Sequence, residues 1–205
     1  MSDETGGIGS LSSIARGASL FAIGKVVADI FKFILEIVLS RGLGGELYGL
    51  YAYGHTILRI GVSFTTVGVD RAILKYIPQY DGETRQNAIF ALSILTAAVG
   101  AILASGLLYL LAPTISSYTF DKPVFVDTVR LFAVVVLFDT FAKVFYAIFK
   151  SKEVIELEVV SNRFLRPIGR VVGVAIALCL GGSLFGVMVA VLVVSGLVLL
   201  VTVYL

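Results

Sequence analysis

The chain has 205 residues, of which 58% are hydrophobic and only 15% are charged, and its formal net charge is +2. Soluble domains are about one quarter charged, so this composition excludes an ordinary water-soluble domain and indicates an integral membrane protein. The small net charge does not favour nucleic-acid binding. A single cysteine, Cys179, and a single histidine, His55, exclude an internal disulfide and a multi-histidine metal site.

The N-terminal residues 1–13 are polar and rich in Gly and Ser, without the basic start and cleavage site of a signal peptide. We therefore expect a flexible cytoplasmic tail there. A spanning helix needs about 20 apolar residues, and the rest of the chain, residues 14–205, predicts an all-α lobe of six such helices. The predicted spans are 14–40, 47–67, 87–111, 125–149, 165–180 and 183–205.

Three features define the ends of these spans. The third span is expected to end at Pro113. For the fifth span, an earlier start near Ile155 is an alternative. The tight turn at 181–183 separates the last two. The chain is still apolar at Leu205, so we expect it to be the N-terminal part of a longer protein.

The connectors predict the orientation of the chain. Nine basic residues belong to one side and three to the other, which places the N-terminus and the longer loops in the cytoplasm by the positive-inside rule. The nine are Arg16, Arg71, Lys75, Arg85, Lys150, Lys152, Arg163, Arg166 and Arg170, against Arg41, Lys122 and Arg130.

The first span contains four charged residues, Lys25, Asp29, Lys32 and Glu36, at spacings of 4, 3 and 4. On a helix they share an arc of about 60° along roughly 16 Å. A charge at the bilayer centre costs on the order of 3 kcal/mol unless it faces protein or water. The stripe therefore predicts the lining of a hydrated cavity. Structural ion pairs between helices are the alternative.

The second span has a polar face at helical spacing. Arg59 lies near its middle and is a rigid donor suited to phosphate or carboxylate. It could contact an anion in the cavity or pair with Asp29 or Glu36. His55 is more typical of a structural histidine. The residues of this face are Tyr48, Tyr51, His55, Arg59 and Thr66.

The fourth span contains Asp139, Lys143 and Tyr146 on one face, with Lys150 at its cytoplasmic end. Asp139 and Lys143 have the i, i+4 spacing of a helical ion pair. We interpret this face as a second wall of the cavity, with a self-neutralised pair as the alternative.

The other three spans are predicted to be packing elements. The third carries small residues and no charge, and the fifth has a GxxxG pattern at Gly169 and Gly173. Of the connectors, 68–78 is amphipathic and either lies along the headgroups or continues span two. The connector 152–170 reads as an interfacial helix.

Enzyme motifs are missing from the sequence. It contains no P-loop, no HExxH and no GxSxG, and 42–44 fails as a dinucleotide fingerprint. We therefore expect a protein that is not an enzyme and binds no cofactor. A membrane enzyme such as a lipid-linked sugar transferase is the weaker alternative.

Two stretches carry a resemblance to a known family. They are R-G-L-G-G-E-L-Y-G-L-Y at 41–51, between the first two spans, and G-V-D-R-A-I-L-K-Y-I-P at 68–78. Together they resemble the N-terminal region of polysaccharide biosynthesis flippases, in the O-antigen-type branch of the multidrug/oligosaccharidyl-lipid/polysaccharide exporter superfamily. The resemblance implies two six-helix lobes around a central cavity, of which this chain matches the N-terminal one; the second lobe would be a partner.

The activity implied by the resemblance is movement of a polyprenyl- or dolichyl-phosphate-linked oligosaccharide across the cytoplasmic membrane by alternating access. Lys25, Lys32, Arg59 and Lys143 would provide cations for its phosphate. H⁺ or Na⁺ is a possible coupling ion, with Asp29, Glu36 and Asp139 as its candidate ligands.

Two other functions stay open. A multidrug or cation antiporter of the same superfamily would prefer a more acidic, aromatic cavity. A scaffold subunit of a glycan-synthesis complex would have its buried charges in closed pairs without a hydrated volume.

Overall fold

The computed structural model describes residues 4–66, 68–79, 82–152 and 154–205, with side chains from residue 19 onward. Within these ranges the protein is almost entirely helical and has no β-strand. An all-helical chain satisfies each backbone N–H and C=O within its own segment, as a hydrocarbon environment requires. Helix α1 begins at Glu4. Residues 1–3 of the predicted tail lie outside the described residues, and the flexibility of the tail stays a prediction.

The described ranges contain seven α-helices, a 3₁₀ turn after α2 and a π-helix between α5 and α6. The bounds are α1 Glu4–Thr65, α2 Val69–Tyr76, the turn Ile77–Gln79, α3 Glu83–Thr119, α4 Pro123–Ser151, α5 Ile155–Glu158, the π-helix Val159–Leu165, α6 Arg166–Cys179 and α7 Leu184–Tyr204.

Helix α1 is broken at Gly44, where φ is 74° and ψ is 167°. This backbone region is open to glycine and strained for other residues. The break divides α1 into an N-terminal arm (4–43) and a C-terminal arm (45–65), which correspond to the first two predicted spans. The Tyr48 hydroxyl donates to the Glu36 carboxylate and so links the arms across the break.

Helix α3 does not end at Pro113, as the sequence predicted, but continues to Thr119. A proline removes one intrahelical hydrogen bond and can be accommodated at a modest cost in a membrane helix. The turns that follow gain hydroxyl-to-backbone bonds. The Ser117 hydroxyl donates to the Thr114 carbonyl, and the Thr119 hydroxyl donates to the Ile115 carbonyl.

Helix α4 lies at the centre of the structure and packs against α1, α2, α3 and α7. Most of it is buried, whereas most of α3 faces outward. Several polar contacts join it to its neighbours; in two of them the hydroxyls of Thr65 and Thr140 are 2.7 Å apart, and Ser105 donates to the Ala133 carbonyl at 2.7 Å. Such bonds are favourable where no water competes for them.

Helix α2 is a separate amphipathic element and not a continuation of α1. Gly68, with φ 82°, interrupts the helix before it. Val69 and Ile73 are buried against α3 and α4, while Arg71 and Lys75 face outward. The predicted amphipathic pattern of 68–78 is therefore confirmed.

The connector 152–170, predicted to be an interfacial helix that leads into the fifth span, is helical over most of its length, and its location at the membrane interface stays a prediction. Helical structure starts at Ile155 and passes through the π-helix into α6 without a break, which agrees with the alternative start. Helix α6 ends in a Schellman motif: Gly181, at φ 76°, donates to the Leu178 carbonyl, and the next amide donates to the Ala177 carbonyl.

The close contact of α6 with α7 confirms the packing role of the GxxxG pattern. A Cβ atom on Gly169 or Gly173 would lie within 3.0 Å of Val194.

Three of the described helices are long and apolar enough to cross a membrane: α3, α4 and α7. The six predicted spans are not all shown in this way. The N-terminal arm of α1 contains the four charged residues of the stripe, and α6 itself has only 14 residues.

Candidate functional site

A partly open cavity of about 520 Å³ lies between both arms of α1, helix α4, the π-helix and α6. Seven of the nine predicted cavity residues line it, and they come from the two arms of α1 and from the distant helix α4. Their role in binding a substrate stays a prediction. The seven are Lys32, Glu36, Tyr51, His55, Arg59, Asp139 and Lys143.

The other two members of the first stripe are not among the lining residues. Asp29 instead accepts a hydrogen bond from Lys32 at 2.9 Å, and both side chains are more than half exposed. An exposed pair of this kind contributes little to stability. The stripe is about 16 Å long, and the cavity meets only its C-terminal half. Lys25 has no ion-pair partner among the described residues.

Asp139 is buried and is bound by two arginines of α6. Arg170 donates to its two carboxylate oxygens at 3.1 and 3.4 Å, and Arg166 also donates to Oδ2. Arg170 in turn donates to the Ser195 hydroxyl of α7 at 3.3 Å. One carboxylate therefore links three helices beside the cavity.

Lys143 does not form the predicted pair with Asp139. Its ammonium group donates to the Thr66 hydroxyl at 2.6 Å and lies 3.8 Å from the Asp70 carboxylate at the start of α2. The i, i+4 spacing permits an ion pair, but the guanidinium groups of two α6 arginines bind the Asp139 oxygens instead. Lys143 is left to connect the cavity wall with α2.

Arg59 lines the cavity with an exposed side chain. Among the residues that the structure describes, its guanidinium has no hydrogen-bond or ion-pair partner. The predicted alternative, a pair with Asp29 or Glu36, is therefore absent. Glu36 instead accepts from Tyr48.

An aromatic group forms one side of the cavity. The rings of Tyr51 and His55 are nearly parallel, with centroids 5.9 Å apart, and Phe132 lies 6.1 Å from His55. Tyr51 is almost fully buried. These flat apolar faces contrast with the charged wall that α6 supplies.

A second acidic residue, Glu158, supports the π-helix. Its side chain is fully buried, and its Oε1 atom accepts from Asn162 at 2.8 Å and lies 3.4 Å from Lys150. Arg163 is 3.8 Å from the same oxygen and packs over the Phe21 ring at 4.4 Å. Glu158 thus holds Arg163, a cavity residue, between α1 and α4.

Sequence reasoning missed four polar lining residues because it assigned them to a connector between spans. The sequence does contain a signal for three of them. The spacings in Arg163, Arg166 and Arg170 are 3 and 4, as in the charged stripe of the first segment, and such spacings put side chains on one helix face. The interpretation of span five as a packing element alone is therefore incomplete, because α6 packs against α7 through its glycines and also supplies a polar wall of the cavity. The missed residues are Asn162, Arg163, Arg166 and Arg170.

The cavity has an excess of positive charge. Its lining contains six basic side chains, Lys32, Arg59, Lys143, Arg163, Arg166 and Arg170, and two acidic ones, Glu36 and Asp139. The Nε atoms of Arg163 and Arg170 are buried without a hydrogen-bond partner in the described structure. Arginine presents a planar set of donors that suits oxyanions such as phosphate. The arrangement can therefore bind a multiply charged anion.

Comparison with known proteins gives two findings. The sequence pattern of a family described as polysaccharide biosynthesis protein matches residues 14–205. The chain is also 30% identical over 133 residues to the EPS I polysaccharide export inner membrane protein EpsE of Ralstonia nicotianae. The aligned part is 63% of this chain but only 30% of that relative. No solved structure matches the chain significantly.

Proposed function

Because the chain belongs to the polysaccharide biosynthesis protein family, we propose that it is part of a flippase that exports polysaccharide precursors across the cytoplasmic membrane. The substrate would be an oligosaccharide linked to a polyprenyl or dolichyl phosphate or diphosphate. The relative from Ralstonia nicotianae is named as an inner membrane export protein, which supports the location and the direction of transport.

The observation that carries this proposal is the basic excess of the cavity. A lipid-linked oligosaccharide has a polar sugar chain next to a phosphate group, so its passage needs a wet volume with fixed cations. Six basic side chains around about 520 Å³ meet this requirement. The partly exposed ring of His55, which stacks on the buried Tyr51 ring, would provide a flat surface for a sugar ring.

We propose that the chain crosses the membrane six times. In addition to α3, α4 and α7, each arm of α1 would cross once, and the helical run at 155–179 would be the fifth span. At about 1.5 Å per residue this run is about 37 Å long, enough to cross the hydrocarbon core. Its arginines and the charges at the C-terminal end of the stripe face the cavity, so they would avoid the cost of contact with lipid.

The six helices would form one lobe, which works with a second lobe by rocking around the cavity. The N-terminus is proposed to be cytoplasmic. Three of the nine basic residues assigned to the cytoplasmic side are arginines that line the cavity. Without them, six basic residues on that side still outnumber the three on the other side. Among the acids proposed for H⁺ or Na⁺ coupling, Glu36 is the best candidate, because it faces the cavity and Asp139 is occupied by two arginines.

The two rival functions fit less well. An antiporter for cationic drugs would have to place a cation among six basic side chains, which is electrostatically unfavourable. A scaffold would need closed ion pairs and no hydrated volume, whereas Arg59 faces a cavity without a partner in the described structure.

Deletion of the gene in its host tests the proposal. We expect extracellular polysaccharide to fall and lipid-linked oligosaccharide to accumulate in the cytoplasmic leaflet, where added glycosidases cannot reach it in intact cells. Complementation by the wild-type gene should restore export, and complementation with Arg166→Gln and Arg170→Gln together should not. Normal polysaccharide levels in the deletion strain would refute the function.

A further inference from the structure

The two arginines at the inner wall of the cavity already hold an anion that belongs to the protein itself. Asp139 accepts from Arg166 and, through both oxygens, from Arg170. The three side chains all line the cavity, so a ligand that enters can reach the same donors. The Asp139 carboxylate therefore occupies the position of an anionic ligand.

We propose that Asp139 is a specificity-determining residue: its carboxylate is an internal counter-ion that a diphosphate can displace from Arg166 and Arg170 but a singly charged phosphodiester cannot. This inference rests on the proposed function for the nature of the substrate. Its test measures anion binding and not transport.

The physical basis is competition within the protein. Asp139 is fixed beside the arginines, so it acts at a high effective concentration. A ligand with one negative charge would exchange one anion for another and leave the carboxylate buried without a partner, which is unfavourable. A diphosphate brings several charges and more acceptor oxygens, and can engage further donors in the same cavity.

Those further donors are present. The Nε atoms of Arg163 and Arg170 are buried without a hydrogen-bond partner in the described structure, although Arg163 Nε lies 3.8 Å from the Glu158 carboxylate. Arg59 lines the same volume without an ion-pair partner there. The Ser195 hydroxyl keeps Arg170 in place through a contact of 3.3 Å, so this arginine need not move when the carboxylate leaves.

Such selectivity has a clear use in a membrane. The common anionic phospholipids carry a single charge on a phosphodiester, and they greatly outnumber any lipid-linked diphosphate. Discrimination by a competing group, and not only by attraction, is a general way to exclude an abundant wrong ligand. Asp139 would keep bulk phospholipid headgroups out of the cavity.

The test is calorimetric titration of the whole chain in phosphatidylcholine nanodiscs with two soluble probes at constant ionic strength. Inorganic pyrophosphate represents the diphosphate, and dimethyl phosphate represents the phosphodiester. In the wild type we expect a Kd for pyrophosphate at least tenfold below that for dimethyl phosphate. In Asp139→Asn we expect dimethyl phosphate to bind at least tenfold more tightly than in the wild type. The ratio of its Kd to that of pyrophosphate should therefore be smaller.

Asp127→Asn is the matched control, because Asp127 is an exposed residue of the same helix and lines a different pocket; it should keep the wild-type selectivity. A wild type without selectivity, or Asp139→Asn with unchanged selectivity, would overturn the inference. Farnesyl diphosphate and phosphatidylglycerol then repeat the comparison with lipid-borne groups in place of the soluble probes. We expect tighter binding of farnesyl diphosphate than of phosphatidylglycerol, and equal binding of the two lipids would also overturn the inference.

A second variant covers the case in which Asp139→Asn does not fold. Ser195→Asp adds a carboxylate next to Arg170, and we expect it to weaken pyrophosphate binding at least tenfold, while Ser195→Asn does not. Equal binding by both variants would contradict the counter-ion role. A chain that exports polysaccharide without anion selectivity refutes this inference alone, and a selective chain that does not export refutes the proposed function alone.

Discussion

The carboxylate of Asp139 in α4 accepts hydrogen bonds from Arg170 in α6, with Arg170 Nη2 3.1 Å from Oδ2 and 3.4 Å from Oδ1. The two residues are 31 positions apart, and both are buried. Arg166 donates to the same carboxylate. Buried charges are tolerated only when they are paired, so this contact makes the positions of α4 and α6 dependent on each other.

Loss of this carboxylate should destabilise the protein strongly. Asp139→Leu leaves two guanidinium groups without their counter-ion, and breaking a buried pair in this way costs about 3–5 kcal/mol. Thermal unfolding in detergent should show a lower Tm for this variant. The control Asp127→Leu changes an exposed carboxylate and should leave Tm nearly unchanged. A similar Tm for both variants would show that the pair does not hold α4 and α6 together.

Arg59 offers the opposite case, a charge that matters for transport and not for stability. Its side chain lines the cavity and has no partner in the described structure. Arg59→Gln should therefore change the free energy of unfolding, measured by thermal unfolding, by no more than about 0.5 kcal/mol. It should nevertheless reduce polysaccharide export at least tenfold in a complemented deletion strain. Arg71→Gln, on the exposed face of α2, is the matched control and should export normally. Full export with Arg59→Gln would exclude a substrate contact.

Gly54 tests the close packing of α1 against α4. A Cβ atom there would lie 2.8 Å from the Phe132 ring, and that ring is buried between Tyr51 and His55. Gly54→Ala should therefore destabilise the protein by about 1–3 kcal/mol. At Gly106, which has open space around its Cβ position, the same substitution should be neutral or stabilising by up to about 1 kcal/mol. Equal effects in the two unfolding experiments would mean that the contact is not tight.

The six-span arrangement can be tested by cysteine labelling. With Cys179 replaced by Ala, single cysteines at Lys122, Lys152 and Ser183 lie in three successive connections between helices. If 155–179 crosses the membrane, a membrane-impermeable maleimide should label Lys122→Cys and Ser183→Cys in intact cells. Lys152→Cys should react only after permeabilisation. Protection of Ser183→Cys together with Lys152→Cys would show that this helical run does not cross.

Much of the helical framework could be predicted from the sequence. Apolar runs, the glycines at 44, 68 and 181, and Pro123 at the start of α4 indicate helices and breaks that the structure contains. Pro113 was misleading, because a single proline can be accommodated within a membrane helix. The first-choice start of the fifth span at residue 165 was also misplaced, since helical structure begins at Ile155, as the alternative had it, and the π-helix continues the backbone bonding up to α6.

The sequence by itself determined that this protein is a helical membrane protein with charged helix faces, because hydropathy and the 3.6-residue period are local properties that need no tertiary information. Only the tertiary structure decided which charges meet. In the structure Asp139 pairs with Arg166 and Arg170 and not with Lys143, which is nearer in the sequence. Lys143 instead connects to α2, and Arg59 faces the cavity. A charge is satisfied by whichever partner packing brings within about 3 Å, and packing depends on how whole helices fit together.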